Sequence, residues 1–135
     1  MMKTQIIAVL LGILTVTMSC SSDDDKNAQE SSLIGEWHVV HLTGGIGGVD
    51  EYPERDEIVW IFTQDELTVI DAFLGSPGDP VTRSYEVITV QGATYLTMNG
   101  QDFGKFSFAN DQLFIDINKF PEGGGNDGYL YTLAR

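Results

Sequence analysis

One cysteine, Cys20, occurs in the 135 residues, so no disulfide can form within the chain and the fold must rest on packing. Positive charge is scarce too: 7 Lys and Arg stand against 20 Asp and Glu, a formal net charge of −13. A chain so acidic repels phosphate backbones and anionic headgroups, which excludes sequence-independent nucleic-acid binding. The one sizeable apolar stretch, residues 6–16, is too short to cross a bilayer core of about 30 Å as a helix. Helical periodicity is almost missing. The two histidines, His38 and His41, lie three apart on an expected strand, hence on opposite faces, and share no metal directly. No nucleophile stands at a recognisable spacing from either, so the sequence supports no enzyme, no cofactor and no metal.

What is present at the N-terminus is an address. Met1-Met2-Lys3 gives a positive start, residues 6–16 an apolar run of signal-peptide length, and Ser19 a small residue directly before Cys20. The pattern resembles a bacterial lipoprotein signal, with Thr17 where such signals usually carry Leu. The resemblance implies that residues 1–19 are removed, that Cys20 is lipidated, and that the protein is held on the bacterial outer membrane, at its periplasmic face or the cell surface. It further implies a diacylglycerol and an amide-linked chain on Cys20, and stable anchoring takes at least two acyl chains. The competing reading is a stray thiol behind an ordinary secretory peptide. Residues 20–32 contain a single aliphatic side chain, Ala28, and no aromatic, which predicts a flexible acidic tether. The run Asp23-Asp24-Asp25 reads as solvated charge; it also resembles the acidic signal behind the lipidated cysteine of surface-exposed Bacteroidetes lipoproteins.

Residues 33–135 suit one small domain. Turn signals separate short runs rich in Val, Ile, Thr, Tyr and Phe, which predicts eight strands at 36–42, 57–63, 66–73, 82–90, 93–98, 102–108, 112–118 and 128–134. Gln64-Asp65, Gln91-Gly92, Asn99-Gly100 and Asn110-Asp111 mark tight reversals between antiparallel neighbours. Alternation places Trp37, Val39 and His41 on one face, followed by Trp60, Phe62, Tyr85, Phe106, Phe108, Tyr131 and Leu133. One face of the sheet needs covering and no helix is expected to cover it, so the sheet closes on itself: an all-β, eight-stranded antiparallel up-and-down barrel. The connections 43–56, 74–81 and 119–127 fall at one end with the Asn99-Gly100 turn, and that end is loopy; the other end is tight and carries both Trp37 and Arg135.

Gly35-Glu36-Trp37 matches the Gly-x-Trp that opens lipocalins, and Arg135 stands where their last strand offers an arginine to that tryptophan. Residues 33–135 thus resemble a compact bacterial lipocalin-like domain, of the kind found behind lipoprotein signals. The resemblance implies that Gly35, Trp37 and Arg135 close one end, and that a small hydrophobic molecule is taken at the loopy end, against His41, Trp60, Phe62, Tyr85 and Tyr131. These rings serve equally well as plain core. A second functional reading is a protein-interaction or inhibitor module that uses the barrel as scaffold, with Tyr52, Phe73, Leu74 and Phe120 exposed. The glycine-rich segment 43–56 reads as a mobile loop or a lid. Asp50, Glu51, Glu54, Asp56 and Glu57 read as a solvated face, with a calcium site as the other reading.

Overall fold

In the computed structural model, which describes residues 22–72, 78–123 and 127–135, two-residue reversals organise the chain. Gln91, Asn99, Asn110 and Asp111 have φ of 51°, 49°, 51° and 62°, with Gly92 and Gly100 at 78° and 77°. These left-handed pairs are the conformation of type I′ turns, whose twist matches that of the strands they join. They link β5 (Val81–Val90), β6 (Ala93–Met98), β7 (Gln101–Ala109) and β8 (Gln112–Asp116) into a meander. Upstream lie β1 (Gly35–Gly44), β2 (Val49–Glu51), β3 (Ile58–Phe62) and β4 (Glu66–Asp71); β9 (Tyr129–Ala134) ends the chain. All pairings are antiparallel, and β9 pairs back onto β1. The result is the expected eight-stave up-and-down barrel.

The short β2 is an addition. β1 pairs with β3 through residues 35–38 and with β2 through residues 42–44, so the two share one edge of β1. The segment expected as a mobile loop or lid is therefore a hairpin, turned where Gly48 N donates to Gly45 O at 3.1 Å.

Residues expected as a flexible tether form a helix, α1 (Ser22–Leu33). Composition hides it because its one large apolar residue is its last, Leu33, which is fully buried. Trp37 Nε1 donates to Leu33 O at 2.8 Å, and Arg135 Nη2 donates to Ser32 O at 2.7 Å and Ile34 O at 3.1 Å. The last carbonyls of a helix have no partner within it. Here the barrel supplies those partners, so docking rather than propensity holds the helix.

Two bulges re-aim the interior. On β1, Val39 opposes Leu133 while His41 opposes Thr132, leaving Val40 as the extra residue. Beyond it the alternation inverts, and Leu42 rather than His41 enters the core. On β7, Gly104 opposes Leu96 and Asp102 opposes Thr97, leaving Phe103 extra. Glycine is needed beside that bulge, since a Cβ at Gly104 would sit 2.7 Å from Asp116 O.

β5 changes partner along its length. Residues 81–84 pair with β4, and residues 85–90 pair with β6. Asn99 N donates to Ser84 O at 3.0 Å, which sets the β6–β7 turn beside the start of β4 instead of at the loopy end. The first half of β5 consequently has no strand on its β6 side.

Candidate functional site

The barrel interior has two storeys. The lower one is filled: Phe62, Leu96, Phe106, Leu113 and Leu133 are at most 1% exposed. Phe62 meets Tyr85 edge-on at 5.3 Å, and Phe106 meets Phe108 edge-on at 5.9 Å. Tyr85 donates its hydroxyl to Thr63 O at 2.6 Å, and burial, with Glu30 and Asp65 nearby, pushes its pKa up to about 12. Beneath this storey, Arg135 Cζ lies 4.4 Å from the Trp37 ring centroid, and Gly35 holds a φ of +132° that L side chains rarely adopt. The tight end is closed by the three residues expected there, with Leu33 of α1 added.

The upper storey is less completely filled. A cavity of about 380 Å³ opens beside the unpaired half of β5, within the size range of small-molecule sites. Its apolar wall is Trp60, Leu67, Val69, Met98, Phe103 and Tyr131. Trp60 stands 5.0 Å from Tyr131 and 6.0 Å from Phe103, tilted 51° and 55° to them, so the three rings make a corner rather than a stack. Asp71, Asp79 and Arg83 complete the rim. Tyr131 is pushed up to about 12 by burial first, then by Asp71 and Tyr129, and so stays a neutral phenol. Trp60 Nε1 has no hydrogen-bond partner and less than 1 Å² of exposed surface. Trp60 thus lines the cavity while its N–H is buried. A wider depression of about 750 Å³ lies near Glu30, Asp65, Glu66 and Glu86, but its lining is largely polar. Ligand pockets are mostly apolar, which favours the smaller cavity.

Of the residues expected to hold a ligand, Trp60 and Tyr131 line this cavity. Phe62 and Tyr85 belong to the packed storey below. His41 is outside the barrel because the Val40 bulge turns it: it stacks on Tyr52 at 4.3 Å and bonds Asp50 Oδ1 at 2.7 Å. His38 lies before the bulge and faces outward by ordinary alternation, so the two histidines share the outer face; there Arg55 O lies 2.7 Å from Nδ1 and Glu36 Oε1 lies 3.2 Å from Nε2. The acidic segment is spread over separate partners, with Asp50 on His41, Asp56 on His38, and Glu57 accepting from Glu54 N. Among the described residues, no three His, Cys, Asp or Glu side chains gather to hold a metal ion.

Sequence reasoning missed Phe103, whose parity opposes that of Phe106 and Phe108. The adjoining Gly104, inside a strand pattern, is the signal that marks a bulge there. It also missed Arg83, although Arg83 shares the parity of Tyr85 and Val87. Phe73 and Leu74, expected in an exposed patch, lie outside the described residues, as do Cys20 and the signal segment 1–19.

The chain matches no protein-family model, and no curated protein is similar to it. Among solved structures it is similar to a lipocalin-like protein from Bacteroides uniformis. That likeness has 12% identity and a TM-score of 0.45, covering 77% of this chain and 98% of the other. The barrel assignment rests on the closed strand order of this chain itself.

Proposed function

We propose that this is a lipid-anchored envelope protein whose lipocalin-like barrel binds a small, mostly apolar molecule in the upper-storey cavity, without catalysis. One observation carries the reading: a pocket of about 380 Å³ walled by Trp60, Phe103 and Tyr131 opens beside a core that is otherwise packed. An apolar, concave pocket of this volume with a few polar groups at its edge has the character of a small-molecule site. The anchor is Cys20, on the pattern of its flanking residues, and the compartment is the outer membrane. Native mass spectrometry of the full-length protein, purified from its host in a mild detergent, should show a population carrying an extra small-molecule mass. Protein of bare mass alone would count against binding. Metabolic labelling with a clickable fatty acid should mark the wild type and not Cys20→Ser; an unlabelled wild type would reduce the protein to a secreted one.

The second reading, an interaction module, is favoured by the β1–β2 hairpin, where Ile46 is 91% and Tyr52 is 70% exposed. It predicts that Ile46→Ser and Tyr52→Ser together abolish function in the host while leaving small-molecule retention intact.

A further inference from the structure

The rim of the cavity has a charge sign. Asp71 at the end of β4 and Asp79 before β5 place two carboxylates there against the single guanidinium of Arg83. Behind them lie three aromatic rings set at angles, with centroid separations of 5.0 Å and 6.0 Å from Trp60. Aromatic faces carry negative quadrupole density and attract a cation held within about 6 Å of the ring centre. The phenol of Tyr131 feels Asp71 as its leading charged neighbour, which places that carboxylate close to the aromatic corner. The whole chain, at −13, steers cations inward.

We propose that the ligand of this cavity is a small organic cation, an amine or quaternary ammonium group carried on a compact apolar or aromatic body. The inference rests on the cavity being the ligand site. An anion would meet two carboxylates at the entrance. A neutral hydrocarbon would fill the floor and gain nothing from Asp71 and Asp79. A cation gains from both the rings and the rim, with its apolar body against Leu67, Val69 and Met98.

The test compares three probes of similar size on the full-length protein by calorimetry and ligand-observed NMR: benzyltrimethylammonium, its neutral carbon isostere neopentylbenzene, and anionic 3-phenylpropionate. The cation should bind about tenfold tighter than either of the others, the scale of one desolvated cation–π contact plus rim attraction. Raising the salt concentration should narrow that gap. The double variant Asp71→Asn, Asp79→Asn should lose most of the preference. Should it misfold, Phe103→Leu keeps an apolar wall while removing a ring, and should weaken the cation by a larger factor than the neutral isostere; equal losses for both would overturn the ligand class. Equal or tighter binding of the neutral or anionic probe would overturn the ligand class and leave the cavity standing as a binding site. Failure of all three to bind would overturn the cavity reading, and this inference with it.

Discussion

Arg135 reaches across the closed end to lie on Trp37 and to hold two carbonyls near the C-terminus of α1 with one nitrogen. That single contact joins the last residue of the chain to its first helix and its first strand. Arg135→Ala should lower stability by about 1–2 kcal/mol, read from the urea midpoint, since a cation–π contact and charge-assisted bonds are lost. Arg135→Lys should recover only part of it, because an ammonium cannot lie flat on an indole. Trp37→Phe leaves the buried Leu33 carbonyl without its donor and should cost about 1–3 kcal/mol. Tyr85 and Tyr131 set a pH limit, both pushed from 10.0 to about 12, chiefly by burial. A phenol whose folded pKa exceeds its unfolded one adds stability that is whole below pH 10.0 and is lost as pH rises to about 12. Denaturation curves across that window should fall steeply in the wild type and less steeply in Tyr85→Phe and Tyr131→Phe; three identical slopes would contradict the assignment. At this scale Gly35, Trp37 and Arg135 were legible, since motif and strand parity agree. His41 was not, because a bulge at Val40 depends on how β9 pairs with β1, which no local pattern records.

Among the elements, α1 shows how a polar segment becomes structure through one anchor. Leu33→Ala should cost about 2–5 kcal/mol, the range for truncating a fully buried leucine. It should also make residues 22–33 sensitive to limited proteolysis while the barrel stays intact; a resistant helix would show that Leu33 is not what docks it. Gly104→Ala tests the β7 bulge: with a Cβ 2.7 Å from Asp116 O, either β7 or β8 must shift, and Phe103 with them. The variant should lose stability and cavity binding together. Strand positions were readable from turns and alternation to within a few residues. The stagger of β5 was not, since nothing in its sequence says that β4 takes its first half and β6 its second. The cavity depends on that stagger, and for the same reason its opening lies beside Val81 and Arg83 rather than under the segment 43–56.

Taken whole, the molecule has a sealed end and an open flank. With Leu33 buried beneath the barrel, the helix joins the barrel at its sealed end, away from the opening beside Val81 and Arg83. The two tryptophans report on the two ends separately: Trp37 in the seal, bonded to Leu33 O, and Trp60 in the cavity wall. Each gives its own indole N–H resonance in a ¹⁵N-labelled full-length sample. The most direct measurement is the shift of both resonances on adding an organic small-molecule extract of the host cells. Binding in the upper storey predicts that the Trp60 resonance moves and the Trp37 resonance stays. A shift confined to Trp37, or none at either, would contradict it.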